Sequence, residues 1–253
     1  MHKATVETAA LREHILTYAR TRMGYDNPPL DHPQTLEWLQ QRAGQTVTEE
    51  GLGGMRALGI FADVLAPATI STDHPGYLSF IPTAPTEAST LFDLVVSASS
   101  IYGGSWLEGA GAVYAENQVL SWLASEVGLP ETAGGVFVQG GTLGNLSALV
   151  AARHAARAER ERKGTSQPAR WKFICSSEAH SSLKSAAAVM DVEIIKAAAD
   201  TDGRLSGAAV EQAIAAAGDG LFAVVATSGT TNFGIVDDLD SIGVVARAHD
   251  LWF

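Results

Sequence analysis

The sequence is poor in thiols and in positive charge. One cysteine, Cys175, stands among 253 residues, which excludes an internal disulfide framework and leaves too few thiols for a structural zinc site. Lysine and arginine total 17 against 28 aspartates and glutamates, a formal net charge of −11. That balance disfavours a broad phosphate-binding face, so no nucleic-acid partner is expected. No apolar run approaches the roughly 18 residues of a membrane span. The amino terminus, MHKATVETAALREH, has charges where a signal peptide needs an apolar stretch. The expectation is a soluble, cytoplasmic protein with no membrane and no metal partner. Hydrophobic residues, by contrast, make up 46% of the chain and charged ones only 18%, enough to bury a sizeable core.

Three helical segments open the chain. Leu11, Ile15, Leu16 and Ala19 recur at helical spacing between Thr5 and Met23. Gly24 and the Asn27-Pro28-Pro29 run end that segment. Shorter helices are expected over 35–42 and 48–65, the last interrupted by Gly51, Gly53 and Gly54. From Asp73 the texture changes to HPGYLSFIPTAPTEAS, an irregular stretch without period. Helices over 87–100 and 111–127 follow, the second ended by Gly128-Leu129-Pro130.

After Pro130 short apolar strands alternate with helices. Strands are expected over 134–140, 171–175, 192–196 and 221–227, with a further one beginning at Leu251. Helices are expected over 142–163, 180–190, 206–217 and 239–249. This alternation implies an α/β fold built on a mostly parallel sheet flanked by helices, preceded by an N-terminal helical segment. Residues 1–72 read as an N-terminal helical arm or layer, and 73–253 as the main domain.

Three turns at strand ends could carry chemistry. Gln139-Gly140-Gly141-Thr142-Leu143-Gly144-Asn145 lies between a strand and a helix. Its glycines let the backbone approach a ligand, and the helix start offers free N–H groups to an anion. The loop lacks the Gly-Lys-Ser/Thr ending of a Walker loop and the spacing of a dinucleotide fingerprint. Taken alone, it is as much a tight turn as a phosphate cup. Glu178-Ala179-His180-Ser181-Ser182 follows the second strand, so His180 lies on the edge where open α/β sheets bind ligands. Its neighbouring serines are equally good helix caps. Thr227-Ser228-Gly229-Thr230-Thr231 follows the buried Val224-Val225-Ala226 strand. Together the three turns favour a small molecule with a phosphate handle.

The motifs His74-Pro75-Gly76-Tyr77, Pro82-Thr83-Ala84, Gln139 to Leu146, Ala179-His180-Ser181-Ser182 and Ser228-Gly229-Thr230-Thr231 occur in that order. In this order they resemble the pyridoxal-phosphate-dependent group II amino-acid decarboxylases, the aromatic-amino-acid and glutamate decarboxylase-like enzymes. The resemblance runs from about Asp73 to the last residue. It implies a fold-type I, aminotransferase-like architecture and decarboxylation of an L-amino acid to an amine and CO₂. It also implies pyridoxal 5'-phosphate as cofactor and a homodimer with sites at the subunit interface. Carried over by position, Thr142 and Leu143 would hold the cofactor phosphate and Thr231 would contact the cofactor near its ring. His180 would stack on the ring face as the catalytic histidine. Thr83 and Phe80, in the Phe80-Ile81-Pro82-Thr83 loop, would approach the amino-acid substrate. Gly104 stands where aromatic decarboxylases carry a bulky ring, which puts an aromatic substrate in doubt.

The family's ring-nitrogen aspartate and cofactor-binding lysine belong to a His-Val-Asp segment on the strand beginning at Leu251 and a His-Lys pair further on, and neither is found there. Lys163, Lys172 and Lys184 are poor substitutes for that lysine, and Asp237, Asp238 and Asp240 read as helix-capping residues. The chain is therefore expected to be the N-terminal part of a decarboxylase, and inactive by itself. The alternatives are another fold-type I lyase, an aldehyde-forming enzyme, or a non-catalytic fragment. Cys175 is expected to be buried packing.

Overall fold

The computed structural model describes residues 4–80 and 84–253. Its chain forms two compact units, one ending at Gly109 and one running from Ala110 to Phe253.

The first unit is helical. α1 (Val6–Met23) starts at Thr5, whose hydroxyl accepts the Thr8 N–H while the Thr8 hydroxyl accepts the Thr5 N–H. This reciprocal cap satisfies two otherwise orphaned donors. α2 (Leu36–Ala43) is capped by Thr35. The third helix is shorter than its expected span. Gly51 and Gly53 both sit at φ 75°, so helical dihedrals start only at Gly54. α3 (Gly54–Ile60) then widens into a π-helical turn over Phe61–Leu65, closed by the Ala66 N–H on the Phe61 carbonyl. α4 (Glu87–Ala98) is capped by Thr86. None of these four helices contains a buried residue. Within the unit they are joined by an edge-to-face contact of Tyr18 with Phe61 and an ion pair of Arg22 with Asp73 at 2.8 Å.

α5 (Trp106–Glu126) begins five residues before the expected 111, and bends at Gly109, where φ is −124° and ψ 28°. The next segment departs from expectation. Gly134 to Val138 is extended but belongs to no strand, and Val136 is 66% and Phe137 57% exposed. A β-strand is stable only beside a neighbour that takes its backbone hydrogen bonds. Among the described residues no strand pairs with the segment; the Glu116 side chain accepts the Phe137 N–H at 3.2 Å and the Gly140 N–H donates to the Val138 carbonyl at 3.0 Å.

The rest of the second unit follows the expected alternation: α6 (Gly141–Arg162), β1 (Lys172–Ser176), α7 (Ser182–Met190), β2 (Glu193–Ala197), α8 (Gly207–Ala217), β3 (Leu221–Val225) and α9 (Leu239–Ala248). The strands form a parallel sheet of order β2-β1-β3. Trp252 extends it with a parallel bridge to Ala223. Alternation along β1 sends side chains to opposite faces. Phe173 and Cys175 pack with Leu149 and Ala152 of α6 and with Leu183, Ala186 and Met190 of α7. Ile174 packs on the other face with Val210 and Ala213 of α8 and Ile242 of α9. Both faces are thus covered, which explains the near-continuous apolar strands. Phe173, Ile174, Leu205, Val210 and Ile242 are fully buried, and each contributes about 1.5–3 kcal/mol of hydrophobic stabilisation. Among the described residues no helix is long and apolar enough to cross a membrane.

Candidate functional site

The site lies in the second unit and follows from its topology. β1 is the middle strand; the chain leaves it through α7 on one sheet face and leaves β3 toward α9 on the other. Loops that depart to opposite faces from adjacent parallel strands leave a crevice at their carboxyl ends. His180 follows β1 and Thr231 follows β3, so the two expected positions flank this crevice.

The glycine loop reaches the same edge through His180. Gly140 has φ 87° and ψ 159°, a conformation essentially reserved for glycine. It turns the extended segment into α6. The first helical hydrogen bond is Gly144 N–H to the Gly140 carbonyl at 3.2 Å, and no side chain caps this end. The amides of Gly141, Thr142 and Leu143 therefore keep their hydrogens available at the positive end of a 22-residue helix. Thr142 and Leu143 are both exposed.

His180 is tied to that helix. Its Nδ1 lies 2.9 Å from Ser182 Oγ and receives the Ser182 N–H at 3.1 Å. Ser182 Oγ in turn accepts from Asn145 Nδ2 at 2.8 Å. Asn145 stands one turn beyond Thr142 on α6, so the glycine loop and the imidazole share one hydrogen-bonded frame. The serines divide their work differently from the caps expected of them. Ser176 Oγ accepts the Glu178 N–H, no side chain caps α7, and Ser182 turns to His180.

The Thr227–Thr231 turn is held from inside. Thr230 is 5% exposed; its hydroxyl accepts the Ile235 N–H at 3.1 Å and its own N–H donates to the Ile235 carbonyl at 2.9 Å. Thr231 points the other way and is exposed. Adjacent threonines thus take separate roles, one closing the loop and one facing outward. Asp237 corrects an expectation. It caps no helix; it is 3% exposed and accepts the Leu205 N–H at 2.8 Å and the Thr227 N–H at 2.7 Å. The cap of α9 is Asp238, which accepts the Ser241 N–H; the Ser241 side chain first, and its N–H with it, hold the carboxyl below its ordinary range. Both carboxylates read alike in sequence, and only the register of the turn tells them apart.

The remaining expected positions belong to the first unit. Phe80 is 76% exposed with φ 61°, an unusual conformation for a bulky residue. Thr83 lies outside the described residues. The lysines weighed in sequence are engaged away from the crevice or lie on a helix surface. Lys163 pairs with Glu159, Lys172 donates to the Ala217 carbonyl, and Lys184 is exposed on α7. Lys196, not singled out by its sequence, reaches from the end of β2 to the Ser177 carbonyl at 3.4 Å. Cys175 is 2% exposed, and burial pushes its thiol up to about 11.

A helix start with uncapped amides, joined by hydrogen bonds to an exposed imidazole, is an arrangement that can hold a phosphorylated ligand. The chain is 28% identical over 220 residues to aromatic-L-amino-acid decarboxylase of Bacillus atrophaeus, covering 85% of this chain and 44% of that protein. It is 30% identical over 210 residues to L-2,4-diaminobutyrate decarboxylase of Rhizobium meliloti, covering 81% of this chain and 41% of that protein. The chain thus spans well under half the length of these two relatives. Its fold is that of mouse CSAD, with a TM-score of 0.85 at 23% identity over 99% of this chain and 54% of that one. The family model described as the pyridoxal-dependent decarboxylase conserved domain matches residues 52–253. The chain therefore belongs to the pyridoxal-dependent decarboxylase family.

Proposed function

We propose that the protein of which this chain is part removes the carboxyl group of an L-amino acid as CO₂, leaving an amine, with pyridoxal 5'-phosphate as cofactor. The two decarboxylase relatives and the uncapped helix start joined to an exposed imidazole support this. When bound, the cofactor supplies an electron sink for the pair left at Cα as CO₂ departs. The amides of Thr142 and Leu143, with the Thr142 hydroxyl, would hold its phosphate. His180 would lie against the ring and Thr231 beside it. Phe80 and Thr83 would meet the substrate, in a homodimer whose partner copy completes the site. Residues 1–72 would form the N-terminal arm and 73–253 the cofactor domain.

One observation carries the proposal: the capless start of α6 and His180 share the hydrogen-bonded frame of Asn145 and Ser182. A turn that merely joined two elements would need no such link between a helix terminus and an exposed imidazole. The test is to purify the full-length protein with cofactor and incubate it with aromatic, acidic and diamino L-amino acids. The expected products are CO₂ and the matching amine. His180→Ala should cut turnover by about 100-fold or more. An aldehyde in place of the amine would reject simple decarboxylation. Turnover unchanged in His180→Ala would reject the role given to the imidazole.

A further inference from the structure

We infer that Ser182 and Asn145 are positioning residues that fix the His180 imidazole in its Nε2–H form, so that its free ring nitrogen meets a ligand as a hydrogen-bond donor. The inference deepens the decarboxylase proposal. It rests on that proposal for its catalytic consequence, while its geometry stands independently.

The assignment follows from which atoms can give a hydrogen. The side-chain amide nitrogen of Asn145 has only hydrogens to offer, so at 2.8 Å Ser182 Oγ is the acceptor. A hydroxyl has a single hydrogen, which leaves it free for the nearest remaining acceptor, His180 Nδ1 at 2.9 Å. The Ser182 N–H reaches the same nitrogen at 3.1 Å. Nδ1 thus receives two donors and has no room for a hydrogen of its own. The hydrogen of the neutral ring must then reside on Nε2. Among the described residues Nε2 makes no hydrogen bond, and His180 is exposed.

Burial makes the arrangement rigid. Ser182 is 2% exposed, at the start of α7 beside the buried Leu183. The cap position of α7 is Ser181, whose side chain makes no cap hydrogen bond, and the hydroxyl of Ser182, the first helical residue, is committed to the imidazole. Because Asn145 stands one turn beyond Thr142, the helix that offers its amides also sets the ring's hydrogen. Outer partners that orient a working imidazole are worth about 10–100-fold in function when removed from metal sites. The lower end of that range is expected for a ring held by a backbone donor as well.

The test reads the ring directly. The full-length protein is labelled with ¹⁵N-histidine, with the His180 signals assigned by their loss in His180→Gln. Two-bond proton–nitrogen correlations are recorded with and without cofactor. The wild type should show Nδ1 as the hydrogen-free nitrogen and Nε2 as the hydrogen-bearing one; the reverse pattern or an equal mixture overturns the inference without any variant having to fold. Asn145→Asp, checked for folding by its thermal transition, turns the donor into an acceptor that takes the Ser182 hydrogen. Oγ then offers only lone pairs, the Ser182 N–H alone is left to hold Nδ1 free of hydrogen, and the Nδ1–H form should gain population over the wild type. Asn145→Ala, which frees the Ser182 hydroxyl to turn, should shift the ratio in the same direction but less than Asn145→Asp. A folded Asn145→Asp protein with an unmoved hydrogen overturns the role of Asn145. Ser182→Ala should lower kcat by about 10-fold, with KM nearly unchanged. The expected tautomer in a protein that releases no CO₂ would sink the proposed function and leave the relay standing. Decarboxylation by a protein with mixed tautomers would do the opposite.

Discussion

The Asp237 carboxylate reaches back along the chain to accept the Thr227 N–H at 2.7 Å, closing the base of the turn that carries Thr230 and Thr231. Its second oxygen takes the Leu205 N–H at 2.8 Å, so one buried side chain ties this turn to the entry of α8. Removing it strands two backbone donors away from water. Asp237→Ala should therefore cost about 3 kcal/mol or more, since hydrogen bonds to a charged group are worth roughly 1.5–3 each. Urea unfolding of the two proteins checks this. A change of a few tenths would mean that water replaces the carboxylate and that the turn needs no tie.

Gly140 is the position where backbone conformation alone predicts a mutational cost. A Cβ there would meet no atom within 4 Å, yet φ is 87°. Gly140→Ala should lose about 1–3 kcal/mol through strain with no clash. Its cofactor affinity should fall by more than that of Gly144→Ala, whose added carbon meets only the Val138 side chain at 3.6 Å within a regular helix. Titration of each apoprotein with pyridoxal phosphate, followed by absorbance, compares them. Equal affinities would detach the loop geometry from the binding of the phosphate.

Much of the second unit was legible because its pattern is redundant. Phe173, Ile174 and Cys175 are apolar without alternation, and only a strand covered on both faces needs that. The helix expected over 206–217 forms over Gly207–Ala217, with Ser206 as its cap and Gly218 at its end. Gly134 to Val138 failed for the complementary reason. Its composition is that of a strand, but strand formation is a property of pairs, and no described strand pairs with its backbone. Asp237 and Asn145 were hidden for another reason: each acts on a partner 32 or 37 residues away, a distance no local pattern records. His180 and Thr231 were found because strand ends are predictable, whereas the relay behind His180 depends on which rotamers the core enforces.

The pair Arg22 and Asp73 predicts how the first unit responds to acid. A side-chain hydrogen bond from Arg22 holds the Asp73 carboxyl below its ordinary value of 3.8. A lowered folded-state value means that the contribution is complete above about 3.8 and is lost as pH falls through the folded value. The two side chains are 32% and 27% exposed, so water screens them and the contribution stays below about 1 kcal/mol. Asp73→Asn should lower the neutral plateau by up to that amount and leave stability below the folded value unchanged, so that its acid limb is flatter. An acid limb identical in both proteins would show that the pair is energetically silent.

Cys175 makes the last case, because its burial has a chemical readout. The thiol lies between Phe173 and the α6–α7 face, and loss of solvation pushes it up to about 11, with the positive charge of Lys196 pulling weakly the other way. Against an ordinary value of 9.0, that shift lowers the thiolate fraction near neutral pH by about 100-fold. The thiolate is the reactive species, and the sulfur is also shielded from reagents. Alkylation of the native protein should therefore be slow and should accelerate in step with unfolding by urea. The sign for stability follows from the same shift. A raised folded-state value favours the native state fully below about 9, and the advantage is lost as pH rises toward about 11. Cys175→Ala removes this dependence at the cost of a small cavity among Phe173, Leu183 and Ala186. The variant should be less stable at neutral pH and should fall less steeply under alkaline conditions. Rapid labelling of the folded wild-type protein would show that the α6–α7 layer opens without global unfolding, and that this sheet face is not the tight core its packing implies.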